Sequence, residues 1–261
     1  MQTMPPLVLT DCRMAAVTLL NNVRVPAALL AGASLAQSLT LEKMDDEALK
    51  KSRVWTLYRF IYVALLAWTF TANMSAIFIA THVGVRITAG SSFSPMATSA
   101  VALMLRDFEL EFVWVRAAFA TGLLSYLTAI TMQLSFMFRK SADFARALAF
   151  GMGSVVLTLL SYNNAHTIAY GGLTGLVRRW VVLIFEMLFE RMTIFPFRPM
   201  PFLAMLSTIA SAYFLLRGAM AIYIAAADKD KDGTVSWDET STYFRELISE
   251  VTQTVRGHKQ D

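Results

Sequence analysis

Phe60 to Val85 reads FIYVALLAWTFTANMSAIFIATHVGV, 26 residues without an Asp, Glu, Lys or Arg. About 20 such residues, wound as a helix, cross the roughly 30 Å of hydrocarbon in a bilayer. Two further uncharged runs, Ala117 to Phe138 and Ala147 to Val177, are long enough to do the same. Pro201 to Ala227 carries one charge, Arg217, before the composition turns abruptly to alternating Asp and Lys at Asp228. Val25 to Leu41 is uncharged but only 17 residues long, with Pro26 where a first helical turn tolerates it, so it either spans or lies at the interface. Across all 261 residues 56% are hydrophobic and 16% charged, against about 45–50% and 25% in soluble domains. The expected fold is all-α: a polytopic transmembrane helical bundle of four or five spans.

The boundaries follow from these runs: an N-terminal segment over residues 1–56, the bundle over 57–227 and a tail over 228–261. Arg178 to Arg191 interrupts the apolar pattern. Arg179, Glu186 and Glu190 share one helical side there, which suits an interfacial or bundle-edge helix better than a lipid-exposed span. Pro196, Pro199 and Pro201 then reset the chain direction before the last span. With spans at Phe60–Val85, Ala117–Phe138, Ala147 to about Ile168 and Pro201–Ala227, thirteen Lys and Arg gather on the side of the tail and seven on the other. The competing arrangement, in which Val25–Leu41 spans and Ala147–Val177 does not, divides them ten to twelve. The tail is therefore expected in the cytosol, and a fifth span would put the amino terminus outside.

Several function classes drop out. The net charge of +4 is spread between apolar runs rather than along one basic face, so no nucleic-acid partner is expected. Cys12 is the sole cysteine and the three His are scattered, which excludes an intramolecular disulfide and a structural zinc site. The first 24 residues lack the basic start and continuous apolar core of a secretory signal. No nucleophile–base pair or catalytic carboxylate pair is recognisable, and no enzyme is expected. Gly151 and Gly153 sit in an apolar helical run rather than after a strand, so they read as packing positions rather than a dinucleotide loop. Asn73-Met74-Ser75 has the form of a glycosylation site but lies mid-span.

The sharpest motif is Asp228-Lys-Asp230-Lys-Asp232-Gly233-Thr234-Val235-Ser236-Trp-Asp238-Glu239. Its acidic residues recur on alternate positions, a glycine follows at position 6 and a glutamate closes position 12. This resembles the calcium loop of the EF-hand family. Ca²⁺ takes six to eight oxygens. The resemblance implies carboxylates from Asp228, Asp230 and Asp232, the backbone carbonyl of Thr234, a water held by Ser236, and both oxygens of Glu239. Gly233 permits the sharp turn, and Val235 would form the short bridge with a paired loop. Chance fits of this kind arise about once per million windows, which disfavours the alternative of a merely solvated acidic turn. Five carboxylates against two Lys leave the loop an excess of three negatives that repel one another without a cation. Its folding is expected to be metal-coupled.

After the loop, Phe244, Leu247, Ile248, Val251 and Val255 form an apolar helical stripe that needs a covering surface. A partner EF-hand from another copy, the Lys43–Lys51 segment or the bundle itself would supply one. A homo-oligomer is accordingly expected beside the lipid bilayer as partner. Arg217, inside the last span, calls for a counter-charge, with Glu109, Glu111 and Glu186 as candidates. Glu109 and Glu111 stand near a span entrance, where carboxylates either draw cations or are simply solvated. Tyr162 to Thr167 is a polar cluster that fits a helix end at the interface or a cavity wall.

Arg24-Val-Pro-Ala-Ala-Leu-Leu-Ala-Gly32, through Glu42, resembles the pore helix of the Orai store-operated calcium channels, and Glu109 to Tyr126 resembles their third span. Together these cover under a third of the chain. The position of the family's selectivity glutamate falls on Thr40, with Glu42 displaced by two residues, about 200° around a helix. The basic inner-pore position falls on Val25, so no site is carried over. The expected function is a calcium-binding membrane protein whose EF-hand regulates an ion pathway. The alternatives are a non-conducting scaffold and, with neither repeated halves nor paired interrupted helices to support it, a secondary transporter.

Overall fold

The computed structural model describes residues 9–38, 53–90, 93–138, 141–167, 170–193 and 199–227, and in the tail 238, 240–243, 245–246 and 248–249. Seven helices run in order: α1 Arg13–Ser38, α2 Arg53–Ala89, α3 Ala100–Asp107, α4 Glu109–Met137, α5 Ala142–His166, α6 Gly172–Thr193 and α7 Pro199–Ala227. Two-residue strands β1 (Thr10–Asp11) and β2 (Met96–Ala97) pair antiparallel. Five helices are long and apolar enough to cross a membrane, in α1, α2, α4, α5 and α7. The protein is thus all-α and built as a multi-span membrane protein.

The helix boundaries correct the expectation for the first span and agree with the end expected for the third, near Ile168. The first span is α1, which starts at Arg13, twelve residues before Val25, and ends at Ser38. Pro26 lies in its interior rather than in its first turn. A proline there removes the N–H that would bond to the carbonyl four residues earlier. The run Ala147 to Val177 is divided at Gly171 and Gly172, whose φ angles of 75° and 88° suit glycine and break the helix. The N–H groups of Tyr170 and Gly172 both donate to the Thr167 carbonyl, closing the turn from α5 to α6.

The chain divides into two compact units. Unit 1 comprises Met1–Leu41, Ala64–Thr131 and Phe150–Ile184. Its first core packs Ala16 and Leu20 of α1 against Ala80, Val83 and Ile87 of α2, with Leu103 and Met104 of α3 and Phe112 and Val115 of α4. The strand pair clamps the start of α1. The Cys12 N–H donates to the Pro95 carbonyl at 3.1 Å, and its buried thiol reaches the Ala97 carbonyl at 3.6 Å. Ser99 caps α3 by accepting from the Ala102 N–H at 3.1 Å.

The second core of unit 1 joins α2, α4 and α6. Ala72 and Ala76 face Val113, Ala117 and Ala118, and Leu173, Leu176, Trp180 and Leu183 of α6 pack on both. Alanines at four-residue spacing let helix backbones approach, which supplies the van der Waals contact that holds helices together in lipid. Gly122 is a true close approach, since a Cβ there would stand 2.5 Å from Asn73 Nδ2. Asn73 is wholly buried, donates to the Thr69 carbonyl at 2.8 Å, and is no glycosylation acceptor. Thr69 in turn reaches the carbonyls of Leu65 and Gly122. Gly175 is equally constrained, because a Cβ would fall onto the Tyr170 carbonyl.

Unit 2 comprises Glu42–Val63, Met132–Ala149 and Phe185–Asp261. The Tyr58 hydroxyl donates to the Met132 carbonyl, tying the start of α2 to the end of α4. Phe138 and Phe144 meet edge to face at 4.7 Å across the α4–α5 turn, and Arg146 pairs with Asp143 at 3.1 Å. In α7, by contrast, Leu203, Leu206, Ile209, Phe214, Leu216 and Met220 are all exposed. An exposed row of large apolar side chains needs lipid or another protein around it.

Candidate functional site

The loop singled out for calcium lies outside the described residues at Asp228, Asp230, Asp232, Thr234, Ser236 and Glu239. What borders it is described. The α7 helix continues to Ala227, the residue immediately before Asp228. Asp238, the eleventh residue of the loop, is exposed and helical, and its carbonyl accepts from the hydroxyls of Ser241 at 3.2 Å and Thr242 at 2.7 Å. These bonds extend a helical turn directly out of the loop. Tyr243 is buried, whereas Ile248, the one stripe residue described, is 64% exposed. Phe244, Leu247, Val251 and Val255 lie outside the described residues, as does the Lys43–Lys51 segment.

The donor chemistry of the loop fits a hard divalent cation: four carboxylates at its ligand positions, one carbonyl, one hydroxyl and no sulfur or imidazole. Among the described residues no other group of three His, Cys, Asp or Glu is placed to hold a metal ion.

The bundle presents a second constellation, in unit 1. Glu109 at the start of α4 receives Nε and Nη2 of Arg179 from α6 at 3.1 and 3.2 Å. Two parallel N–H donors on one carboxylate fix orientation as well as charge. Glu111 pairs more loosely with Arg86 of α2, at 3.5 Å. Arg86 also lies over the Phe108 ring at 5.2 Å, and Arg116 over Phe112 at 5.3 Å. Behind these charges Trp180 sits between Trp68 and Trp114, with ring centroids 6.3 and 5.9 Å away, and the Trp114 N–H donates to Ser75 Oγ at 3.2 Å. Tyr170 lies close by. Burial raises its phenol above the usual range, Glu109 adds to that, and Arg116 and Arg179 oppose it.

Glu109 and Glu111, two of the carboxylates considered for Arg217, are engaged by Arg179 and Arg86. Arg217 is exposed on α7, as is Glu186 on α6. The partner of Glu109 is 70 residues away, a separation that no local spacing reveals. The polar cluster after the α5 span is divided: Tyr162 is exposed and lines a cleft of about 280 Å³ with Arg116, while Thr167 is buried. Between them, the side chains of Asn163, Asn164 and His166 lie outside what is described.

No protein-family model matches this chain, and it matches no curated protein and no solved structure.

Proposed function

We propose that this is a calcium-binding integral membrane protein in which the EF-hand-like loop Asp228–Glu239 senses Ca²⁺ and regulates an ion pathway through the helical bundle. The observation that carries the reading is the donor set of that loop, set one residue after a 29-residue apolar helix. Asp228 follows Ala227 without a linker, so any change in the loop acts on the end of α7. Neutralising the loop's surplus negative charge would let the helix from Thr240 onward take a different angle to α7, in the manner of sensor EF-hands. The exposed large apolar residues of α7, Leu203 to Met220, offer a surface for lipid, a second copy or a partner EF-hand. The excess of basic residues on the side of the tail favours a cytosolic loop.

A second reading has its own support. In unit 1 the two carboxylates nearest a span entrance, Glu109 and Glu111, are each paired with an arginine. Such closed pairs suit a non-conducting scaffold, stabilised or docked through its EF-hand, better than a cation entrance. Reconstitution decides between the two. The full-length protein in liposomes, assayed for Na⁺, K⁺ and Ca²⁺ flux at nanomolar and at millimolar calcium, is expected to change its flux at least several-fold. Absence of flux under both conditions, together with a stable larger assembly in mild detergent, would establish the scaffold instead.

A further inference from the structure

Arg116 is a basic residue of unit 1 that enters none of the ion pairs described there. It stands seven residues into α4 from Glu109, about 10 Å along the helix axis. The two acids of that helix end are committed to Arg179 and Arg86. Among the described residues no carboxylate lies at salt-bridge distance from Arg116, which lies over the Phe112 ring and acts electrostatically on the Tyr170 phenol. Its guanidinium is permanently charged, and a charge within a span is costly unless an anion or water meets it.

Beside it opens the cleft of about 280 Å³, between Val23 of α1, Leu123 and Leu124 of α4, and Leu159 and Tyr162 of α5. Its walls are almost wholly apolar, with Arg116 as the one charged residue among them. Tyr162 directly precedes the polar Asn163 and Asn164, the level at which tyrosines mark the boundary between hydrocarbon and headgroups. An apolar slot with one fixed cation at headgroup depth matches a molecule with a hydrocarbon tail and an anionic head. Basic pockets between membrane helices recognise lipids on this principle.

We propose that this cleft is a binding site for an anionic phospholipid of the surrounding bilayer, with an acyl chain along Leu123, Leu124 and Leu159 and the phosphate-bearing headgroup against Arg116. Charge complementarity distinguishes this occupant from a zwitterionic lipid, and the apolar walls distinguish it from free phosphate. The site is independent of the calcium loop.

The test is native mass spectrometry of the full-length protein offered equal amounts of phosphatidylglycerol and phosphatidylcholine with identical chains. The wild-type protein is expected to retain phosphatidylglycerol about fivefold over phosphatidylcholine. Arg116→Gln is expected to bring that ratio within about twofold of unity, while Arg178→Gln, an exposed arginine of α6 outside the cleft, leaves it unchanged. The proposal is overturned if the wild type shows no preference, if Arg116→Gln retains it, or if Arg178→Gln abolishes it equally. Displacement of phosphatidylglycerol by equimolar oleate would assign the cleft to a free fatty acid and overturn it too. Should Arg116→Gln fail to fold, photolabelling of the wild type with a diazirine-tailed phosphatidylglycerol decides. Label on Leu123, Leu124 or Leu159 supports the site, and label confined elsewhere contradicts it.

Discussion

The α2–α4–α6 packing of unit 1 and the α7 helix of unit 2 are built from similar apolar residues and present them in opposite ways. In unit 1 the contact side is made small, with Ala72, Ala76, Ala117, Ala118 and Gly122, so that backbones approach and larger side chains such as Trp180 fill the flanks. In α7 large residues from Leu203 to Met220 are exposed. Lipid tails are as apolar as leucine, so hydrophobicity alone does not draw helices together in a bilayer, whereas shape and buried polar bonds do. The first region is therefore specified by its own chain, and the second is left for lipid, another copy or the device at its end. A sensor that must move is expected on the second kind of helix.

Substitutions should expose this difference in graded fashion. The largest effect is expected from Gly175→Ala, which drives a methyl group onto the Tyr170 carbonyl at the start of α6. Because backbone rather than a flexible side chain stands in the way, a loss of about 3 kcal/mol or more is expected, read as a collapse of the folded peak in thermal unfolding in detergent. An unchanged transition would show that α6 does not close on its own turn as described.

An intermediate effect is expected where α6 meets α4. Glu109 and Arg179 are each more than a third exposed, so solvent screens their bond and its coupling should be about 1 kcal/mol or less. A double-mutant cycle with Glu109→Gln and Arg179→Gln measures it. Additive losses would mean that the bidentate geometry contributes no orientation to α6. The smallest effect is expected in α7, where Ile209→Ala should shift stability within about 0.5 kcal/mol, because Ile209 is 56% exposed and packs little in its own chain. A loss as large as that at Gly175 would show that a partner already covers the helix in the purified state.

The parts of this fold that could be read from the sequence are those governed by local quantities. A span is a length of uncharged residues, so Phe60–Val85 and Pro201–Ala227 each fall inside one observed helix, α2 and α7, and Ala117–Phe138 overruns α4 by a single residue. The start of α1 was not legible in this way. Asn21, Asn22 and Arg24 break the apolar run, yet the helix passes straight through them because Ala16, Leu20, Ala27 and Ala31 form its buried side. The short α3 and the β1–β2 pair depend on Ser99 and on contacts 85 residues apart, such as Cys12 with Ala97. Only the capping serine leaves a trace in the sequence. Glu109 and Arg179 belong to the same class, since each looked like a solvated helix charge until the fold brought them together. The calcium loop is the opposite case, in which ligand types at fixed positions carry the reading by themselves.

Calorimetric titration of the full-length protein with CaCl₂, alongside Glu239→Gln, tests the central claim most directly. The account predicts one saturable binding event per chain in the wild type, with a dissociation constant within the roughly 10⁻⁹ to 10⁻³ M span of this loop class. Glu239→Gln should weaken it by about tenfold or more, since the bidentate ligand closes the coordination shell. A folded wild-type protein that shows no binding at millimolar calcium, or a Glu239→Gln variant that binds as tightly as the wild type, would contradict it.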